Sequence, residues 1–130
     1  MKSITKEKRK IVFDKYNGKC AYCGCKIEYT NFHVDHIIAL NRGYHRDEIE
    51  KGSGKVENLN PSCISCNSSK SNFTIERWRS ELELKKQRIK RDSPTFNLLL
   101  RYGCVIENDI PITFYFLLRQ LQSVRHILQR

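Results

Sequence analysis

The apolar positions of the chain change period several times, and each change marks an element. Ile4, Ile11, Val12 and Tyr16 fall near one helical face, which predicts a helix over 4–16 that Gly18 stops. A tight knuckle, "CAYCGC", follows at 20–25, and residues 32–38 are strand-like. Residues 41–57 carry Gly43, Gly52, Gly54 and many charges, which predicts a long loop. "NLNPSC" then leads into a second knuckle, "CISC", and a short helix near 64–71. Thr74 is a suitable N-cap for a long helix over 75–92, whose apolar stripe is Ile75, Trp78, Leu82 and Ile89. Ser93-Pro94 opens a third helix over 95–102, which Gly103 ends. "CVIE" and "ITFYF" around "NDIP" predict a small hairpin. The tail 118–130 is helical by pattern, with Leu118, Leu121, Val124 and Leu128 on one side. There is no internal repeat.

The strand-like stretch "FHVDHI" (32–37) breaks its own pattern. Side chains alternate faces along a strand, so a plain strand would bury one of Asp35 and His36 and leave the other wet. An adjacent carboxylate and imidazole therefore ask for a reason.

Charge narrows the classes. The chain has 130 residues and a formal net charge of +10, from 24 Lys+Arg against 14 Asp+Glu. That excess points to a polyanionic partner, of which nucleic acid is the commonest. The N-terminal "MKSITKEKRK" lacks the apolar core of a secretory signal. Runs such as "ITFYFLL" fall short of the roughly 20 apolar residues that a membrane helix needs. The expectation is a soluble, cytoplasmic protein without a membrane partner. Six cysteines in such a protein point to metal rather than to disulfides.

Four of them form two C-x-x-C pairs, Cys20 with Cys23 and Cys63 with Cys66. Two such knuckles supply the four thiolates of a closed, tetrahedral, structural Zn²⁺ site. A redox C-x-x-C and buried free thiols are the competing readings, but redox use rarely needs two matched pairs in one small basic domain. Cys25 is left out because the set is already full. Cys104, at a predicted strand start, is expected to be buried.

A zinc ion joining the knuckles would bring together the strand after the first and the helix after the second. Asp35 and Asn67 would then share a second metal. Both offer hard oxygen, which suits Mg²⁺ or Mn²⁺. His36, beside that metal but not bound to it, would take a proton from water. The adjacent pair thereby acquires two roles.

The order C-x-x-C, "VDHI", "ENLNPSC", C-x-x-C-N and Lys70 resembles the HNH endonuclease family in its zinc-stapled ββα-metal form, over about residues 10–73. The resemblance implies an α+β fold: a ββα-metal core with structural Zn, flanked by helices and the small C-terminal hairpin. Residues 1–73 would form the nuclease domain with its N-terminal helix. Residues 74–130 would form a helical extension packed on or beside it. Asp35 matches the metal-binding acid, His36 the general base, and Asn67 the last motif position, which also binds the catalytic metal. Asn58 matches the middle asparagine, which braces the loop between the strands and orients the base. Lys70, one helical turn beyond Asn67, would meet a phosphate. The implied reaction is hydrolysis of a phosphodiester in DNA, with RNA left open, giving 5′-phosphate and 3′-hydroxyl ends. One site cuts one strand, so double-strand cleavage would need a homodimer or two visits.

Other residues carry weaker signals. His33 is expected to be half-buried and hydrogen-bonded, and His45 and His126 receive no role. Trp78 reads as core. Arg77, Arg79, Lys85, Lys86, Arg88, Lys90 and Arg91 either line DNA or solvate the long helix. The competing function class is a silent zinc module that binds nucleic acid. It needs the four cysteines and the basic surface, but not Asp35, His36 and Asn67 together.

Overall fold

The computed structural model describes residues 3–40 and 53–129. Among the described residues the helices are α1 (Lys6–Asp14), α2 (Ile64–Lys70), α3 (Ile75–Asp92), α4 (Pro94–Arg101) and α5 (Tyr115–Leu128). One antiparallel sheet joins β1 (His33–His36) to β2 (Leu59–Ser62), with Asp35 opposite Asn60 and His36 opposite Leu59. A 3₁₀ turn, Val56–Asn58, leads into β2. Two strands followed by a helix that packs on β1 make up the α+β core that the sequence predicts. Of the expected loop 41–57, residues 41–52 lie outside the described residues, as does His45.

Capping sets the helix starts. The Thr5 hydroxyl accepts from Lys8 N, Thr74 from Arg77 N, and Ser93 from Phe96 N, so α1, α3 and α4 each begin with one orphan donor satisfied. The first knuckle turns at Gly24, whose φ of +77° is open to glycine; a Cβ there would also press on the Tyr115 ring at 3.3 Å.

One apolar core gathers residues from both halves of the chain: Val12, Tyr22, Ile27, Phe32, Leu59, Trp78, Phe114 and Phe116. Trp78 is 2% exposed, stacks on Phe114 with ring centroids 4.7 Å apart, and donates from its indole to Ser69 Oγ at 2.9 Å. Tyr22 meets Trp78, Phe114 and Phe116 edge-on. Such aromatic pairs contribute about 0.5–1.5 kcal/mol each beyond area burial.

Three expectations need correction. Among the described residues, no strand forms between Gly103 and Phe114, so the C-terminal hairpin is absent. That segment is instead tied to α3 by side chains: Lys86 Nζ donates to Ile110 O at 3.0 Å, and Ile112 N donates to Glu83 Oε1 at 2.7 Å. Pro111 has no N–H to give a ladder, and Phe114 is drawn into the core, which leaves no partner strand for "CVIE". Cys104 is consequently exposed rather than buried. Apolar stripes were also only partly inward. Val12, Ile75 and Trp78 are buried, whereas Ile11, Ile89, Leu121 and Val124 are about half exposed.

Candidate active site and metal centre

The knuckles bring four sulfurs together. The Sγ atoms of Cys20, Cys23, Cys63 and Cys66 all lie within 4.8 Å of one another, and Cys23 and Cys63 are 3.9 Å apart. A tetrahedron with Zn–S bonds of about 2.3 Å has S···S edges of about 3.8 Å, so the cage has the size of a zinc site. Backbone N–H groups already point at two sulfurs: Tyr22 N donates to Cys20 Sγ and Cys66 N to Cys63 Sγ, both at 3.4 Å. The Cys66 side chain, against the opposing effect of burial and with help from the backbone of Cys63, Cys23 and Tyr22, brings the Cys20 thiol down to about 4. Hydrogen bonding to Cys20, then burial, push the Cys66 thiol up, and burial pushes Cys63 up. A Zn²⁺ ion would remove the mutual repulsion and let all four ionise. Cys25 stays outside the cage, and burial first, then its neighbours Cys23 and Cys63, push its thiol up to about 12.

Closing the cage sets α2 against β1. Cys63 is the N-cap of α2, so the helix starts at the staple and ends at Lys70. Lys70 is fully buried, and its ammonium lies 3.1 Å from Asp35 Oδ2 and donates to His36 O at 2.9 Å. The Tyr22 hydroxyl also donates to Asp35 Oδ2. Asp35 is 6% exposed, whereas His36 is half-buried. The strand therefore does split the pair: the carboxylate faces inward, onto two donors, and the imidazole lies nearer solvent. Residues three apart share a helix face, so Asn67 and Lys70 lie on the side of α2 that meets β1. Asp35 Oδ2 carries both contacts, and Oδ1 has none among the described residues. A carboxylate oxygen is the kind of hard donor that a divalent ion takes, and the Lys70 ammonium on Oδ2 already balances part of the Asp35 charge.

Asn58 closes the chain behind β1. Its Oδ1 accepts from Ile38 N at 2.8 Å, and its Nδ2 donates to Ile38 O at 3.0 Å and to Ser53 O at 2.8 Å. The backbone adds Ile37 N to Asn58 O at 2.9 Å. One amide thus pins the residues directly after His36 to the turn before β2. Lys15, the C-cap of α1, steadies the same turn by donating to Leu59 O at 2.8 Å and more weakly to Val56 O at 3.3 Å.

The phosphate role expected of Lys70 does not fit this geometry. Its ammonium has no solvent-facing surface and is held by Asp35 and the His36 carbonyl. An exposed anion would have to pull it from a buried ion pair, which is costly. The cations of α3 are also partly spent. Arg77 pairs with Glu81, Lys86 with Glu83, Lys90 with Glu107 and Arg91 with Asp92, while Arg79 lies over the Phe114 ring. Lys85 and Arg88 make no ion pair among the described residues. His33 is exposed, where a half-buried position was expected. Tyr22 and Asn60, both buried beside Asp35, carry no signal in the sequence. Tyr22 sits inside a knuckle whose cysteines explain the motif without it.

The HNH endonuclease family model matches residues 20–73, from the first zinc-cage cysteine to just past Lys70. That match makes the segment similar to HNH endonucleases. Over 71 residues the chain is 41% identical to YoqL, a protein derived from the SPbeta prophage of Bacillus subtilis; the match covers 50% of this chain and 28% of YoqL. It is 30% identical over 79 residues to the CRISPR-associated endonuclease Cas9 of Corynebacterium diphtheriae, covering 58% of this chain and 6% of Cas9. Among solved structures, the Type II-C Cas9 enzyme from Actinomyces naeslundii aligns at 26% identity and a TM-score of 0.49, over 62% of this chain and 8% of that one. The chain thus spans a small part of the relatives it matches. No helix among the described residues is long and apolar enough to cross a membrane.

Proposed function

We propose that the chain is a metal-dependent HNH endonuclease that hydrolyses DNA phosphodiester bonds and leaves 5′-phosphate and 3′-hydroxyl ends. The observation that carries this reading is the bridge from Lys70 to Asp35 and to the His36 carbonyl. It packs the α2 face that bears Asn67 against the strand that bears the acid and the imidazole, all within the segment matched to the family.

In this reading His36, half-buried at the end of β1, takes the proton of the attacking water. Asp35 and Asn67 hold one Mg²⁺ or Mn²⁺ ion. When bound, that ion supplies charge stabilisation at the phosphate and at the leaving 3′-oxygen. Asn58 fixes the backbone that follows His36 and so keeps the imidazole aimed. The four cysteines hold Zn²⁺ as a staple, because a cage of four thiolates leaves no open position for chemistry. A single site nicks one strand, and a homodimer would cut both.

The burial of Asp35 on Lys70 favours one second reading: a silent zinc module that binds nucleic acid and in which this pair is structural. Incubating supercoiled plasmid with the zinc-loaded chain in Mg²⁺, Mn²⁺ or EDTA separates the two. Nicking that EDTA abolishes supports the nuclease. Bound but intact DNA, together with intact RNA in a parallel reaction, supports the silent module.

A further inference from the structure

We propose that Tyr22 is a positioning residue for Asp35, a role that rests on the reading of Asp35 as a metal ligand. The Tyr22 hydroxyl and the Lys70 ammonium both hold Oδ2. With that oxygen saturated, the carboxylate plane is fixed and Oδ1 is the single oxygen left to present to a divalent ion. A carboxylate free to rotate would offer either oxygen, or both, and would have to be ordered on each binding event.

The surroundings support a built arrangement. Tyr22 is 2% exposed, and its ring is gripped edge-on by Trp78, Phe114 and Phe116, so the hydroxyl cannot swing away. On the opposite strand Asn60, the register partner of Asp35, is fully buried. Its Nδ2 is buried with no hydrogen-bond partner among the described residues. Partners that orient a metal ligand from behind typically change metal affinity or activity about 10–100-fold when removed.

The test is Tyr22→Phe, which removes one oxygen and keeps the ring. Mn²⁺ binding to the zinc-loaded protein, without DNA, is measured by calorimetry alongside Asp35→Ala and the double variant. The expected result is an Mn²⁺ dissociation constant raised about 10-fold in Tyr22→Phe. Zn content and cooperative melting should be retained. In the Asp35→Ala background Tyr22→Phe should change nothing further. In cleavage assays, the Mg²⁺ needed for half-maximal rate should rise, while the rate at saturating Mg²⁺ recovers most of the wild-type value. An unchanged Mn²⁺ constant in Tyr22→Phe, with Asp35→Ala strongly weakened, overturns the positioning role alone. An unchanged constant in Asp35→Ala overturns the metal-ligand reading beneath it. A Tyr22→Phe chain that loses Zn or cooperative melting also overturns the proposal, because the hydroxyl would then be a folding contact.

Discussion

Replacing Lys70 with Met isolates the buried ion pair. Methionine nearly preserves the buried volume, so the change removes charge and donors rather than packing. In the wild type the Lys70 side chain is 0% exposed and that of Asp35 is 7%, so neither charge has water to fall back on. Without the ammonium, Asp35 keeps the Tyr22 hydroxyl as its one donor, and the His36 carbonyl loses its partner. Removing one member of a buried pair costs about 3–5 kcal/mol, because the other is left uncompensated. For a domain of this size each kcal/mol moves Tm by roughly 4 °C, so Lys70→Met should melt about 12–20 °C lower. Circular dichroism melts of zinc-loaded protein give the number. Adding Asp35→Asn should restore most of the loss, since removing both charges of a buried pair is often near neutral. A single variant that melts within about 3 °C of wild type would refute the reasoning. So would a double variant no more stable than the single one, because the penalty would then not come from a stranded carboxylate.

Three other outcomes are expected. Cys63→Ser removes one cage sulfur and the N-cap of α2, and should lose both Zn and cooperative melting, since zinc binding supplies about 10–16 kcal/mol of folding free energy in small zinc domains; elemental analysis and calorimetry read this, and a folded, zinc-bearing variant would contradict it. Asn58→Ala deletes three hydrogen bonds, each with a net value of about 0.5–1.5 kcal/mol, and should cost roughly 2–4 kcal/mol in urea unfolding; a loss under about 0.5 kcal/mol would show that water replaces the brace. Affinity for duplex DNA should fall steeply between low and high salt, given the net charge of +10; fluorescence anisotropy that shows no salt dependence would argue for a different partner.

Much of the architecture was legible because it is written locally. Thr74 and Ser93-Pro94 announced α3 and α4 through capping chemistry, and α3 runs over the residues 75–92 that its stripe predicts. The two C-x-x-C pairs announced their own meeting, since four thiolates have few other uses in one small basic domain. The hairpin failed because "ITFYF" reads as a strand by period, while its aromatics are claimed by the core around Tyr22, a long-range demand with no local signature. Lys70 misled for a related reason. Its place one helical turn beyond Asn67 says nothing of depth, and its side chain is turned inward against Asp35. The opening pair was half legible. That β1 would part Asp35 from His36 followed from strand alternation, whereas the Tyr22 and Lys70 donors that make the buried side tolerable for a carboxylate come from other elements.

The central claim is that His36 is the base of a phosphodiester hydrolysis while Asp35 holds the metal. Its most direct measurement is single-turnover plasmid cleavage at saturating Mg²⁺ by zinc-loaded wild type and His36→Ala, with DNA affinity measured on the same preparations. His36→Ala should bind DNA as wild type does, retain Zn, and cleave about 10²–10⁴-fold more slowly. A His36→Ala protein that cleaves at the wild-type rate would contradict the claim.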